Sequence, residues 1–298
     1  MSFEKIIKKD NFIIRKNSLN FYEIENKPSE NELNKFYTDL LYQNPEEHTS
    51  SYNVSYSEEE FEYIENKSKK IYEIIQNNNN KTLLDIGCGE GFVSKLLFDK
   101  GYNIKSLDYS DYGIQKFNSS ILKYFEKGDV FKNLDKIIDK GEQYGIIILN
   151  NVIEHVLDPI LVLNKIKNIL SIDGILIITA PNDFSNLQYY LIENKIINTM
   201  NWISPPAHLS YFTLESLSNT IKHCGYKVYD YYAEYPIDFD LLVDHTNYVN
   251  NPVGKFSHLK RLRVDNFLCK QSISKTIKYY KSLADLGTGR DIVLFVKK

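Results

Sequence analysis

The sequence predicts a doubly wound α/β domain on a parallel sheet, and three observations carry that expectation. From about residue 81 onward, short apolar runs alternate with amphipathic stretches. The first apolar run enters a G-x-G-x-G segment, Gly87-Cys-Gly-Glu-Gly91, and a helical pattern follows it. The second apolar run ends on an acid, Asp108. The length of 298 residues suits one large domain or two small ones.

Residues 1–80 are expected to form a helical extension or lid, and 81–298 the sheet domain. In the extension, Ser57–Gln76 reads as a helix. Ser57 can cap it, acids fill its first turn, and Phe61, Ile64, Ile71, Ile74 and Ile75 recur near helical spacing. The Asn77–Asn80 run marks the boundary. Thr82–Ile86 then reads as a buried strand, Phe92–Lys100 as a helix stopped by Gly101, and Asn103–Asp108 as a strand. Tyr112–Phe117 has a helical pattern and Leu122–Phe125 a strand-like one. Tyr144–Leu149 is a strongly apolar strand, Pro159–Leu170 a helix and Gly174–Ala180 a strand. Leu214–Cys224 is a helix stopped by Gly225, Tyr226–Tyr232 a strand and Asp291–Val296 the last strand. Segments 183–206 and 236–288 exceed a minimal sheet; within 236–288, residues 259–268 and 272–286 read as helical. Both segments are expected on the substrate side, because open α/β sheets bind ligands outside the carboxyl ends of their strands.

Hydrophobic residues at 43% and charged residues at 25% exclude global disorder. A net charge of −3 offers no basic face, so no nucleic-acid substrate is expected. No apolar run approaches the roughly 18 residues of a membrane span, and the start lacks an apolar signal core. Cys88, Cys224 and Cys269 are too scattered for a disulfide framework or a structural zinc site. A cytoplasmic protein is expected. Tyr is abundant at 23 residues. Codon bias toward Lys, Asn, Ile and Tyr explains the total. The clustering of Tyr22, Tyr37, Tyr42, Tyr52, Tyr56, Tyr189, Tyr190, Tyr248, Tyr279 and Tyr280 in the extra segments suggests an aromatic wall for a sugar.

The glycine spacing departs from the G-x-G-x-x-G dinucleotide fingerprint and from the phosphate-cradling G-x-x-x-x-G-K-[ST] loop. A carboxylate at Asp108 can accept the two hydroxyls of a ribose. With Asp85 also at the loop the site is acidic. Acid there disfavours a pyrophosphate and suits a cationic sulfonium nucleoside bearing an ammonium group.

Asp85-Ile-Gly-Cys-Gly-Glu-Gly91 resembles the first motif of the class I S-adenosylmethionine-dependent methyltransferases. Further segments match in order: Gly128-Asp-Val130, Leu149–Pro159 with its Glu154-His-Val156, Gly174–Asn182, and Ala207–Leu217. The last three resemble the ubiquinone-type branch. The resemblance covers roughly 81–235 and implies a Rossmann-like seven-stranded sheet whose last strand, Asp291–Val296, runs antiparallel. More weakly, Pro28–Tyr37 with Tyr42 and Tyr52–Tyr56 resembles methyltransferases of bacterial surface-polysaccharide and nucleotide-sugar pathways.

The resemblance implies S-adenosyl-L-methionine as cofactor and S-adenosyl-L-homocysteine as product. Gly87, Gly89 and Gly91 would form the cradle, with Cys88 as a small filler. Asp85 would orient the loop and the amino-acid portion, Asp108 the ribose. Tyr109 would cover the adenine, and Asp129 with Val130 would meet it. Asn150 or Asn151 would touch the methionine portion. Transfer to oxygen needs alignment of donor and acceptor, which in favourable cases supplies about 7–11 kcal/mol. It also gains about 10²–10⁴ from a base. His208 is the preferred base, His155 the alternative with Glu154 as its partner, and Asn182 a third residue at that edge. His48, His223, His245 and His258 rank below them. No His/Cys/Asp cluster has metal-ligand spacing, so no metal is expected; a magnesium site from Asp158, Asn182 and Asp183 is the weak alternative. Ser204-Pro-Pro-Ala207 lacks the aromatic residue of the amino-methylating DNA enzymes. The expected acceptor is a small molecule, a sugar or nucleotide-activated sugar for a surface polysaccharide, and a homodimer is compatible with the sequence. Alternatives are a quinone or phenol acceptor, for which 183–206 would supply an apolar lid, and a catalytically silent cofactor-binding partner protein.

Overall fold

The computed structural model describes residues 3–36 and 55–298, with side chains of 34–36 excepted. By its internal contacts the chain divides into two units: Met1–Asn26, Asn151–Val156 and Ile177–Lys297 in one, Lys27–Asn150 and Leu157–Leu176 with Lys298 in the other.

The chain starts with three short strands, β1 (Ile6–Lys9), β2 (Phe12–Lys16) and β3 (Tyr22–Ile24). Residues 6–24 therefore correct the expectation of a helical extension. Burial alternates along β1 and β3, where Tyr22 and Ile24 are buried on either side of Glu23, which is strand periodicity. Helices follow only at α1 (Glu30–Phe36) and α2 (Glu58–Ile75). In α2 the capping box forms as the sequence suggests, with Ser57 accepting from the Glu60 amide and the Glu60 side chain reaching back.

The central alternation then runs β4 (Thr82–Ile86), α3 (Phe92–Asp99), β5 (Asn103–Asp108) and α4 (Tyr112–Asn118). A 3₁₀ turn over Ser119–Tyr124 occupies most of the span expected as a strand, and β6 is Phe125–Lys127. A helix that the sequence pattern did not predict, α5 (Val130–Asp139), comes next. It precedes β7 (Tyr144–Asn150), α6 (Pro159–Ile169) and β8 (Leu170–Pro181). The remainder comprises α7 (Asn186–Glu193), β9 (Ser210–Tyr211), α8 (Leu214–His223) and β10 (Lys227–Ala233). Last come α9 (Gly254–Gln271), α10 (Ile273–Asp285) and β11 (Asp291–Lys297).

The seven-stranded sheet has the order β10-β11-β8-β7-β4-β5-β6. β4 pairs in parallel with β5 and β7, β5 with β6, and β11 runs antiparallel to β10. Ile146–Leu149 and Leu176–Ile178 are fully buried, as continuous apolar strands covered on both faces must be. A second sheet, β1-β2-β3-β9, is antiparallel and pairs Tyr22 with Tyr211 and Glu23 with Ser210. No helix among the described residues is long and apolar enough to cross a membrane.

Candidate active site

In the unit that holds β4 to β7, the glycine loop is built by chain reversal between β4 and α3. Gly87, Gly89 and Gly91 have φ of 71°, 55° and 75°, a left-handed region that side chains resist. The amides of Gly87 and Cys88 both donate to the Leu107 carbonyl, at 2.8 and 3.0 Å, which ties the loop to the end of β5. A Cβ on Gly89 would meet nothing within 4 Å, so the loop surface is open there. A Cβ on Gly113, at the start of α4, would lie 2.9 Å from the Gly89 carbonyl oxygen.

Two acids flank the loop. Asp85 is 3% exposed and accepts from Ser94 Oγ at 2.7 Å. Burial pushes its carboxyl up to about 6, against the Ser94 bond and with help from the Asp108 charge. Asp108 accepts from the Gly89 amide at 2.8 Å on one oxygen and from the Ser110 amide at 3.1 Å on the other. Burial raises its carboxyl while the amides of Gly89, Ser110 and Tyr109 oppose that. A carboxylate offers about four lone-pair sites, so these three amides leave room for an incoming hydroxyl. Burial and the two acids hold the Cys88 thiol well above its ordinary value, so it stays protonated and is no nucleophile.

The Tyr109 hydroxyl donates to Asp129, whose other oxygen caps α5 by accepting from the Lys132 amide at 2.9 Å. Val130 is buried in the first turn of α5. Asn150 ends β7 exposed; Asn151 follows at φ 54°, its amide donating to the Thr179 carbonyl at 3.0 Å. A contact that sequence reasoning missed is Tyr56, whose hydroxyl donates to Glu90 in the loop at 2.6 Å. Its ring lies among Phe61, Phe92 and Phe117. The only local signal was an acid inside the glycine motif.

In the other unit the two favoured histidines meet. The rings of His155 and His208 lie edge to face, 4.9 Å apart. His155 Nδ1 is 2.7 Å from the Ala207 carbonyl. That oxygen can only accept, so Nδ1 carries the proton and Nε2 the lone pair. Burial, then the neighbouring His208, pushes His155 down to about 4 and keeps it neutral. Glu154 is 1% exposed, and burial, with Asp183 and Asp291 nearby, drives it well above the usual carboxylate range. The His208 segment is pinned on two sides. The Leu209 and Ser210 amides donate to the Glu154 carbonyl at 2.8 and 3.1 Å, and the Ile24 amide donates to the Leu209 carbonyl at 3.0 Å.

Asn182 is buried, its side-chain amide donating to the Gly289 carbonyl at 2.8 Å. Asp183 binds Arg290, and Asp158 caps α6 by accepting from the Leu161 amide. Each residue of the magnesium alternative thus has a partner of its own. Chain spacing also hid a grouping: Glu154, His155 and His208 offer three ligand-type atoms within 4.8 Å of one another. Such a set can hold a cation or pass protons, and the His155–Ala207 bond leaves His155 Nε2 available for either role. His223 and His245 are exposed, His258 lies 2.7 Å from Arg261, and His48 lies outside the described residues, as do Tyr37, Tyr42 and Tyr52. A cavity of about 460 Å³ in this unit is lined by Tyr22, Phe184, Tyr189, Asn182, Asn186 and Asp285, among others.

Comparison with known proteins places these features in a family. A family model described as a methyltransferase domain matches residues 56–231, more than half of the chain. A ubiquinone biosynthesis O-methyltransferase from Haemophilus ducreyi is 23% identical over 128 residues, 41% of this chain and 51% of that protein. One from Nitrosomonas europaea is 26% identical over 106 residues, 35% of this chain and 45% of that protein. The chain thus spans about half the length of the curated relatives it matches. Among solved structures, a SAM-dependent methyltransferase from Archaeoglobus fulgidus is 18% identical with a TM-score of 0.49, covering 79% of this chain and 94% of that one. With the family match spanning the glycine loop, Asp108 and both histidines, the chain belongs to the methyltransferase-domain family.

Proposed function

We propose that this protein is an S-adenosylmethionine-dependent O-methyltransferase that releases S-adenosylhomocysteine. The observation that carries the reading is the open glycine loop fastened to Asp108 by the Gly89 amide, with acceptor capacity left on the carboxylate. Bound S-adenosylmethionine would supply an electrophilic methyl group on a sulfonium. Asp108 would hold the ribose hydroxyls, Gly87 to Gly91 would let the ligand lie against the backbone, and Asp85 would fix the loop. Asp129, Val130 and Tyr109 would face the adenine, and Asn150 or Asn151 the methionine end. His208 would take the acceptor's proton; His155, held neutral and committed to Ala207, is the weaker base.

The acceptor in this reading is the hydroxyl of a sugar, presented as a nucleotide-activated sugar. The cavity beside Asn182 supports that class, since Tyr22, Phe184 and Tyr189 line it together with Asn186 and Asp285. A quinone or phenol acceptor is the alternative, favoured by the names of the curated relatives.

Calorimetry with S-adenosylhomocysteine tests the cofactor. Binding should be clear in the wild type and fall at least about tenfold in Asp108→Ala, since charge-assisted hydrogen bonds are worth about 1.5–3 kcal/mol. Equal affinity in both proteins would sink the Asp108 role. A labelled methyl donor offered with nucleotide-activated sugars and with phenolic quinone precursors separates the two acceptor classes. Methylation of any compound removes the silent-module alternative.

A further inference from the structure

Asp183 is the second residue after β8 and is 1% exposed. Burial of that depth demands a partner for a carboxylate. Arg290, just before β11, donates from Nη1 to Asp183 Oδ1 at 2.8 Å. The backbone holds both residues in place: the Asp183 amide donates to the Phe212 carbonyl at 2.8 Å, and the Asn182 amide to the Arg290 carbonyl at 2.7 Å. The other carboxylate oxygen, Oδ2, is buried and has no hydrogen-bond partner among the described residues. The same is true of His208 Nδ1. These two orphaned atoms lie 3.9 Å from each other. One is an acceptor and the other can be a donor, and a displacement of about 1 Å makes the bond.

We propose that Asp183, braced by Arg290, is a positioning residue that holds the Nδ1 proton of neutral His208 and leaves Nε2 as the base. The inference rests on the reading of His208 as the proton acceptor in methyl transfer. In that step the acceptor hydroxyl's proton goes to Nε2 as the O–CH₃ bond forms. The S–CH₃ bond breaks with its electron pair staying on sulfur, and the imidazolium that results faces the Asp183 carboxylate. The other groups around His208 do not supply such a charge. His155 is neutral and edge-on, Glu154 is driven toward its protonated form, and burial raises the Tyr211 phenol. Asp238 and Asp291 act on the Arg290 guanidinium, which holds its proton tightly among these acids. Glu154 Oε2 is also buried without a hydrogen-bond partner among the described residues, but it is Asp183 Oδ2 that lies 3.9 Å from His208 Nδ1.

Ring-nitrogen NMR of ¹⁵N-histidine-labelled full-length protein tests this without an acceptor, with His208 assigned by its loss in His208→Gln. In its unprotonated form wild-type His208 should be the Nδ1–H tautomer. In Asp183→Asn the Nδ1–H and Nε2–H tautomers should mix. Asp183→Glu, which keeps the charge, should restore the Nδ1–H form in part. An Nε2–H tautomer in the wild type, or the same tautomer ratio in wild type and Asp183→Asn, would overturn the assignment. The wild-type tautomer needs no variant, so a variant that fails to fold leaves the decision intact. Calorimetry with S-adenosylhomocysteine on the same sample keeps the two ideas apart. Absent binding overturns the methyltransferase reading, while the tautomer alone decides the Asp183 contact.

Discussion

Asp85 has a measurable consequence at the scale of one residue. Its folded pKa of about 6 stands above the ordinary 3.8, because burial penalises the carboxylate. Below pH 4 both folded and unfolded chains hold the proton, and Asp85 costs nothing. Between pH 4 and 6 only the folded chain holds it, so stability falls as pH rises through that window. Above 6 the penalty is complete. Asp85→Asn should therefore gain stability relative to wild type between pH 4 and 7, by about 3 kcal/mol at most from a two-unit shift. Urea midpoints at the two pH values check it, and a constant difference would mean that burial does not govern this acid. His155 works in the opposite direction: its folded value of about 4 lies below 6.5, so its contribution grows as pH rises from 4 to 6.5. Comparing variant with wild type cancels it. The loop residues and Asp108 were legible because chemistry and chain proximity coincide: Gly89 reaches Asp108 across only 19 residues, through a strand–turn–helix with its own spacing. Asp183 and Arg290 were not, since their partnership spans 107 residues and neither sits in a motif that requires the other.

The helix α5 shows both the reach and the failure of local pattern. Val130, Leu134 and Ile137 repeat at helical spacing and are buried, and Asp129 stands at the N-cap with φ −65° and ψ 132°. Reading Asp129 with Val130 as an adenine contact left its N-cap signal unused. Its capping role and its proposed ligand role can be separated. Asp129→Ala should lower stability by about 1 kcal/mol through loss of the cap. Asp129→Ser should recover most of that, because a hydroxyl can cap, yet should bind S-adenosylhomocysteine as weakly as Asp129→Ala if the carboxylate meets the adenine. Wild-type affinity in Asp129→Ser would confine Asp129 to the helix end. Denaturant curves and calorimetry on the same pair of variants give both readouts. Elements with strong local grammar came through: α2 with its capping box, α3 with Gly101 at φ 83°, and the all-apolar core of β7. The strands β1 to β3 did not, because they have 4, 5 and 3 residues and gain their stability from pairing rather than from propensity.

At the scale of the molecule, long-range pairing also redistributes the tyrosines. Tyr22, Tyr211, Tyr232 and Tyr280 are among the largest fully or nearly fully buried side chains, and Tyr280 donates to Asp265 at 2.7 Å inside the α9–α10 packing. Of the tyrosines in the extra segments, Tyr22 and Tyr189 line the cavity, whereas Tyr280 is committed to the helix packing. Tyr22 joins the two roles. It sits in β3 opposite Tyr211, donates its hydroxyl to the Glu4 carbonyl at 2.9 Å and stacks on Phe184 with centroids 4.1 Å apart. Phe184 in turn meets Trp202, the single tryptophan, at 5.8 Å, and Trp202 is 4% exposed. Tyr22→Ala should leave a cavity under Phe184 and cost about 3–5 kcal/mol, the range for truncating a buried large aromatic residue. It should also move Trp202 emission to the red before global unfolding, as water reaches the loosened ring cluster. Tyr22→Phe keeps the stack and loses only the Glu4 bond, so its emission should match wild type with a cost of about 1 kcal/mol. If Tyr22→Ala left both the denaturation midpoint and the Trp202 spectrum unchanged, β3 would not support the β9 segment on which His208 is carried. The four-stranded sheet would then be a decoration rather than the reason that an imidazole and a carboxylate 25 residues apart in sequence face each other.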